Sequence, residues 1–126
     1  MFRFSERSKN SLERVDVGLI LVAGRAITIT EVDFVVIEGW RPIERQRILY
    51  ASGASNTMNS RHLDGYAIDC GALLDGEISW DWPLYYKIAE AMKQAAIDVG
   101  VPIEWGGDWS GRFRDGPHFQ RPWDNT

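Results

Sequence analysis

Cys70 is the only cysteine in this chain of 126 residues, so no internal disulfide can hold the fold together. One cysteine is also too few for a cysteine-rich zinc module. Stability must therefore come from a hydrophobic core. A chain of this length can build one, because it buries about two-thirds of the surface that its unfolded form exposes. We expect one domain spanning residues 1–126, with Cys70 as a buried packing residue.

The charge distribution excludes one class of partner. The formal net charge is -4, and the basic residues are scattered along the chain. Phosphate binding requires a basic stripe or patch, and the sequence has none. A loose group of basic residues near the N-terminus is typical of a solvated helix face. We therefore predict that the protein does not bind nucleic acid.

The sequence also bears on membranes. The N-terminus lacks the charged start and apolar stretch of a secretory signal peptide. The longest apolar run, residues 17–23, is far shorter than the ~20 residues that span a bilayer. We expect a monomer without stable membrane insertion, made in the cytoplasm without a signal peptide. A target outside the membrane would require a separate release step.

Hydrophobic periodicity predicts three helices. The first covers about residues 8–25, where apolar residues recur at helical spacing. The second begins at Pro42, which suits the first position of a helix, and runs to about Ala51. The third is opened by Pro83 and ended by Gly100.

Short apolar runs between these helices predict strands at residues 34–37, 66–70, 103–105 and 118–120. An Asp75-Gly76 turn follows the second of them, and residues 52–60 form an exposed polar loop. Together the segments predict an α+β fold in which about three helices pack on a small antiparallel sheet.

The two histidines, His62 and His118, lie in unusual local settings. If residues 66–70 form a strand, Asp69 points away from its apolar neighbours. Gly65 permits a tight reversal that brings His62 back over this strand. Two neutral imidazoles and one carboxylate are a ligand set for zinc that leaves a fourth position for water.

Two more residues extend this interpretation. A Gly-Pro turn between Asp115 and His118 brings their side chains together, so Asp115 can act as general base toward the water and then protonate the leaving amine. Arg41 can bind a substrate carboxylate or stabilise an oxyanion. Spacing alone leaves simpler alternatives open, in which the histidines are surface or capping residues, both aspartates are turn residues and Arg41 forms a surface ion pair.

The order of these residues resembles the paired metal motifs of the zinc D-Ala-D-Ala carboxypeptidase family. The first motif is Ser60-x-His62-x-x-Gly65-x-Ala67-x-Asp69, and the second is Asp115-x-x-His118-Phe119. The segment Glu38-Gly39-Trp40-Arg41-Pro42, with Gln46, is similar to the arginine-bearing segment of that family. The block at residues 103–109 and the early helix resemble best its phage L-alanyl-D-glutamate endopeptidase (endolysin) branch. The resemblance covers about residues 5–120.

This resemblance implies an α+β fold whose small antiparallel sheet carries a Zn²⁺ ion. By it, His62, Asp69 and His118 are the metal ligands, Asp115 is the catalytic acid and base, and Arg41 stabilises substrate and transition state. Ser60 would support the site through a hydrogen bond. Two positions depart from many relatives, since Gln120 stands where a carboxylate is common and Asp115 where several carry glutamate.

Three functions follow from the resemblance. The first is an endopeptidase that cuts the L-alanyl-D-glutamate bond of the peptidoglycan stem peptide and lyses the wall after release across the inner membrane. The second is a D,D-carboxypeptidase or dipeptidase, and the third a catalytically silent zinc-bearing binding domain. Asp115 and Arg41 argue against the silent domain, because metal binding requires neither. For Trp105 and Trp109, packing in the core and lining of the substrate groove both remain open.

Overall fold

The computed structural model describes residues 1–123, and over this range the chain has four α-helices and five β-strands. The helices are α1 (Glu6–Ser11), α2 (Val17–Ile29), α3 (Ile43–Ala51) and α4 (Trp82–Val99). The strands are β1 (Phe34–Glu38), β2 (Ala67–Leu74), β3 (Glu77–Ser79), β4 (Glu104–Trp105) and β5 (His118–Gln120). Short 3₁₀ turns lie at Arg61–Asp64, Gly106–Asp108 and Gly111–Phe113.

All strands belong to one antiparallel sheet in the order β1-β2-β5-β4, and β3 also pairs with β2. The eight-residue β2 is the organising strand, because β1, β3 and β5 all bond to it. The predicted antiparallel sheet is thus confirmed. The turn at Asp75-Gly76 was also predicted, but the strand β3 that follows it was not.

The first predicted helix is in fact two helices, which corrects its expected span of 8–25. Helix α1 ends at Ser11, and Arg14 adopts a left-handed conformation with φ 65°. Helix α2 then starts afresh, with the Asp16 side chain accepting a hydrogen bond from the N–H of Leu19 at 3.1 Å. The apolar period continues across the break, so periodicity alone does not detect it.

The hydrophobic core lies between one face of the sheet and the pair of helices α2 and α4. Helix α4 has the apolar face that its sequence predicts, and it ends at Gly100 in a left-handed cap with φ 72°. From the sheet, Ile68, Cys70 and Phe119 are fully buried against these helices. Burial raises the pKa of the Cys70 thiol, in keeping with a packing residue. Among residues 1–123, no helix is both long and apolar enough to cross a membrane.

Tyr85 ties α4 to the sheet through its hydroxyl group. This hydroxyl accepts a hydrogen bond from the N–H of Ala72 at 2.9 Å and donates one to the carbonyl of Ser79 at 2.7 Å. The Tyr85 side chain is almost fully buried. It therefore satisfies two backbone groups that water does not readily reach.

We predict that Tyr85→Phe lowers the free energy of unfolding by about 1–3 kcal/mol, the usual cost of leaving buried polar groups without partners. Chemical denaturation monitored by circular dichroism measures this change. The matched control is Tyr86→Phe, because the Tyr86 ring is half exposed and its hydroxyl accepts a hydrogen bond from Arg114 at the surface. Equal losses for the two variants would contradict the role given to the Tyr85 hydroxyl.

Candidate metal centre and cleft

The register of the sheet brings two of the predicted site residues side by side. Asp69 on β2 lies directly opposite His118 on β5. On the other side of β2, Glu38 of β1 is also paired with Asp69, after an irregularity between Val36 and Glu38. Side chains directly opposite each other on antiparallel strands share one face. Glu38, Asp69 and His118 therefore form a row across the face that points away from the core.

His62 reaches this row from the 3₁₀ turn at Arg61–Asp64. The Ser60 hydroxyl accepts a hydrogen bond from the His62 backbone N–H at 3.2 Å, the support predicted for Ser60. Gly65 closes the turn with φ 76°, and a Cβ there would lie 2.2 Å from the carbonyl oxygen of Arg14. Glycine is therefore required for the reversal that carries His62 over β2.

The two imidazoles and the carboxylate converge on one point. His62 Nε2 lies 3.3 Å from Asp69 Oδ2, and His118 Nδ1 lies 3.2 Å from Asp69 Oδ1. One ligand atom from each residue falls within 4.8 Å of the others. Both histidines are buried, which restricts their rotamers before any metal arrives. The donor types and their convergence fit a zinc ion, which prefers nitrogen and carboxylate ligands in a tetrahedral arrangement.

The orientation of His62 is set by its other ring nitrogen. His62 Nδ1 lies 2.7 Å from the carbonyl oxygen of Gly39, so Nδ1 carries the proton and donates it. The lone pair of Nε2 consequently faces Asp69. Metal-binding histidines in proteins commonly make this second hydrogen bond, which fixes both tautomer and ring orientation.

The charges at this point favour a cation. Burial acts to raise the pKa of Asp69, but hydrogen bonds and charges from His118 and His62 outweigh it, so the pKa lies well below its usual range. Burial lowers the pKa of His118, whereas Asp69, Gln120 and Asp115 raise it, and the net pKa is higher than usual. The ionised carboxylate of Asp69 thus attracts positive charge to the space between it and the two imidazole nitrogens. That charge is carried either by protons on the imidazoles or by a metal ion.

Arg41 lines the cleft beside this cluster and is rigidly held. Its Nε and Nη2 atoms donate to the two carboxylate oxygens of Glu38, each at 2.8 Å. Its Nη1 donates to Gln46 Oε1 at 2.6 Å, and its Nη2 lies 3.8 Å from Asp69 Oδ2. Such a fork geometry fixes both the position and the plane of the guanidinium group. Arg41 is not the surface ion-pair residue of the simpler alternative, since only 6% of it is exposed.

Gln46 connects Arg41 to the loop that forms one wall of the cleft. This side chain is fully buried, and its amide nitrogen donates to the Ser55 hydroxyl at 2.9 Å and to the carbonyl of Thr57. One amide group therefore bonds both the guanidinium and residues 55–57. The small polar loop that the sequence predicts as exposed is thus tied to the site at its base.

Asp115 enters the cleft from the turn that precedes β5. Its backbone N–H donates to the carbonyl of Gly106 at 3.0 Å, and its own carbonyl accepts from the N–H of His118 at 3.2 Å. A Cβ at Gly106 would lie 2.3 Å from the Asp115 carbonyl oxygen, so only glycine allows this approach. Withdrawal from water, then the negative charge of Asp69, raise the pKa of Asp115 despite the opposing charges of the histidines and Arg41.

The five predicted site residues all line one cleft of about 680 Å³. They are Arg41, His62, Asp69, Asp115 and His118. Trp109 forms part of the wall, and its ring lies 5.1 Å from that of His118. Trp105, in contrast, is 4% exposed and donates from its indole nitrogen to the carbonyl of Gly116 at 2.7 Å. Of the two alternatives, packing in the core therefore applies to Trp105, and lining of the groove applies to Trp109.

Sequence reasoning missed the residues that hold the site residues in place. Glu38 and Gln46 belong to the segment that resembles the arginine-bearing motif, yet their contacts with Arg41 were not inferred. Gln120, which contacts His118, and Glu104, which contacts Gln120, were likewise given no role. The three-residue spacing from Glu38 to Arg41 could have indicated their ion pair. The contact of Gly39 with His62 could not have been found in this way, because a backbone carbonyl is present at every residue.

The cleft of this small α+β protein holds two imidazoles and a carboxylate, with a second carboxylate and a fixed guanidinium beside them. This arrangement fits a hydrolytic metal site. Comparison with known proteins gives the family. The family model of the phage L-alanyl-D-glutamate peptidase matches residues 1–121. The chain belongs to this family.

Individual relatives agree with this assignment. The L-alanyl-D-glutamate peptidase of Escherichia phage T5 is 31% identical over 120 residues, which cover 90% of this chain and 88% of that protein. The peptidoglycan L-alanyl-D-glutamate endopeptidase CwlK of Bacillus subtilis is 34% identical over 104 residues, covering 71% of this chain and 60% of that protein. The crystal structure of the Serratia marcescens L-Ala D-Glu endopeptidase ChiX superimposes with a TM-score of 0.90 at 42% identity, covering 96% of this chain and 90% of that one.

We predict that Gln46→Met lowers the free energy of unfolding by about 1–3 kcal/mol, because the buried Arg41 Nη1 and the Thr57 carbonyl lose a partner. Chemical denaturation in the absence of metal measures the loss. Gln94→Met is the matched control, since Gln94 is exposed on α4 and bonds to Asp98 one turn along the same helix, and a surface change of this kind stays within about 0.5 kcal/mol. A Gln46→Met variant as stable as this control would show that the amide does not hold Arg41.

Proposed function

We propose that this chain is a zinc-dependent endopeptidase that hydrolyses the L-alanyl-D-glutamate bond of the peptidoglycan stem peptide. The observation that carries the proposal is the convergence of His62, Asp69 and His118 at the base of the cleft. Family membership adds support, because relatives that match most of the chain are named for this peptidase activity. The described residues have one hydrophobic core cluster, and we propose that they form a single peptidase domain.

In this proposal His62 holds the zinc ion through Nε2, His118 through Nδ1 and Asp69 through its carboxylate. These assignments follow from the hydrogen bonds that occupy the other ring nitrogens. A zinc ion held by these residues would supply hydroxide at neutral pH, because catalytic zinc lowers the pKa of bound water from roughly 15.7 to about 7. Three protein ligands of this kind are typical of catalytic zinc sites, in which water would take the fourth position.

Asp115 handles the proton in the proposed reaction. Its carboxylate accepts a proton from the attacking water and later delivers it to the nitrogen of the departing D-glutamate residue. Its pKa is raised above the ordinary value of an aspartate, mainly by withdrawal from water, which makes the carboxylate a better proton acceptor for the first of these steps. The hydrogen bond from the Asp115 backbone N–H to the Gly106 carbonyl holds the turn that carries this side chain in place.

Arg41 stabilises negative charge on the substrate. Glu38 and Gln46 fix the guanidinium before substrate binds, so little reorganisation is needed when charge develops on the carbonyl oxygen. A planar guanidinium also suits a carboxylate of the stem peptide. Trp109 adds an apolar surface beside His118 for the peptide to lie against.

The product identifies the reaction. We expect purified zinc-loaded protein to release fragments with new N-terminal D-glutamate from peptidoglycan, as measured by mass spectrometry. Release of free D-alanine instead would assign the D,D-carboxypeptidase activity. Intact peptidoglycan in the presence of bound zinc would assign the silent binding domain and overturn the proposal.

We predict that Asp115→Asn lowers kcat about 10²- to 10⁴-fold, the usual contribution of a positioned acid or base. Zinc content should not change, because Asp115 is not one of the proposed ligands. The control is Asp108→Asn. This change alters an exposed carboxylate that lies seven residues before Asp115 and pairs with Lys93 of α4. Loss of zinc from Asp115→Asn would contradict its assignment as a proton carrier and make it a metal ligand.

The metal ligands are testable without an activity assay. We predict stoichiometric zinc in the dialysed wild-type protein and its loss in both His62→Ala and His118→Ala, measured by elemental analysis. Chelation should abolish cleavage, and added zinc should restore it. Each variant keeps one of the two histidines in the sequence, so retained zinc in both would show that neither imidazole is required and would contradict the proposed set of three ligands.

We further propose that the protein acts as a monomer on the wall after its release across the inner membrane, and that it causes lysis there. Peptidoglycan is named as the target of the related CwlK endopeptidase. Membrane-permeabilised bacteria should lose turbidity when pure protein is added. Undiminished turbidity together with active cleavage of purified peptidoglycan would reject the lytic role but not the peptidase.

A further inference from the structure

We propose that Gln120 is a positioning residue that holds His118 with its Nδ1 lone pair toward the metal, and that Glu104 orients the Gln120 amide for this purpose. The inference rests on the proposed function, since it concerns the same metal site. It assigns a role to the position where the chain carries an amide rather than a carboxylate.

The contact between His118 and Gln120 is short and buried. His118 Nε2 lies 2.7 Å from Gln120 Oε1, and both residues lie on β5, two positions apart and on the same face of the sheet. Gln120 is 3% exposed, so water does not readily compete for this bond. An amide oxygen only accepts hydrogen bonds, which requires the proton of the imidazole to sit on Nε2.

The tautomer follows from that requirement. A neutral imidazole carries one proton, so a proton on Nε2 leaves Nδ1 with a free lone pair. His118 Nδ1 is the atom that faces Asp69, at 3.2 Å from Oδ1. The hydrogen bond to Gln120 thus presents the correct nitrogen to a metal ion. With the opposite tautomer, the proton of Nδ1 would point into the ligand cluster and compete with the metal.

Glu104 decides which end of the amide faces His118. In the sheet register Glu104 on β4 lies directly opposite Gln120. Gln120 Nε2 lies 3.4 Å from Glu104 Oε2. A carboxylate accepts hydrogen bonds and cannot donate them when ionised, so the NH₂ end of the amide turns toward Glu104. The carbonyl end then faces His118, and the three residues form one chain of donors and acceptors.

A buried glutamine can also be explained as a filler of sheet space. That explanation accounts for the burial of Gln120 but not for the order of atoms along the chain. Hydrogen-bonded partners of metal-binding histidines typically contribute 10- to 100-fold in metal affinity, whereas a packing role affects stability alone. Zinc affinity therefore separates the two explanations.

The test compares zinc dissociation constants measured by competition with a chromophoric chelator. We expect Gln120→Met, which keeps the length of the side chain but removes the acceptor, to bind zinc about 10- to 100-fold more weakly than wild type. Gln120→Glu retains an acceptor for Nε2–H and should restore the affinity to within a few-fold of wild type. Gln94→Met, the same substitution at an exposed site, should leave it unchanged.

Nuclear magnetic resonance of the zinc-loaded protein provides a second measurement. The wild-type protein should show a slowly exchanging Nε2–H signal from His118, and Gln120→Met should lose this signal or exchange it rapidly. Glu104→Gln should speed the exchange in the same direction by a smaller amount, because a neutral amide no longer dictates the orientation of Gln120. An unchanged signal in Glu104→Gln would overturn the role of Glu104.

Two results would overturn the role of Gln120. One is a wild-type zinc affinity in Gln120→Met, and the other is a Gln120→Glu variant as weak as Gln120→Met while both remain folded. Either leaves the proposed peptidase intact if wild-type protein binds zinc and cleaves peptidoglycan. Absence of zinc binding by the wild-type protein would instead reject the metal site itself.

Discussion

The pairing of β2 with β5 is the constraint on which the rest of the site depends. It sets Asp69 opposite His118, and because side chains alternate along a strand, the same register sends Ile68 and Phe119 into the core. A slip of one residue would exchange the two faces, so the apolar burial that stabilises the protein also enforces the position of the candidate ligands. Core and metal cluster are two sides of one strand pair.

Around this pair, three polar side chains of the site are each held by a second group. His62 is oriented by the Gly39 carbonyl, Arg41 by Glu38 and Gln46, and His118 by Gln120. Because these groups are buried, every misplaced donor or acceptor would leave an unpaired polar atom at a cost of about 1–3 kcal/mol. The supports therefore favour one arrangement of the cleft over alternatives, and they do so before substrate or metal binds.

Much of the fold could be predicted from local patterns, and the exceptions have physical causes. Helix α4 has an apolar face, a proline at its start and a glycine at its end, so its limits are nearly those expected. The early helix was predicted as continuous, yet it breaks near Arg14, where the Asp16 N–H instead donates to the carbonyl of Gly65. That partner lies about fifty residues away in the chain, and hydrophobic periodicity carries no information about it.

The sequence by itself shows the residue types and their order: two histidines, an aspartate between them, and a glycine before the central strand. Each of these is a property of a single position, so no tertiary contact is needed to recognise it. They indicated the fold class and the five candidate site residues, all of which lie among the residues that line the cleft. The supporting contacts were decided only by the tertiary structure, since Gln46 on α3 bonds to Arg41 and to the loop at residues 55–57, and Glu104 on β4 bonds to Gln120 on β5. A hydrogen bond between distant segments exists only once the sheet register has brought its two atoms within reach, so no local pattern of residues specifies it.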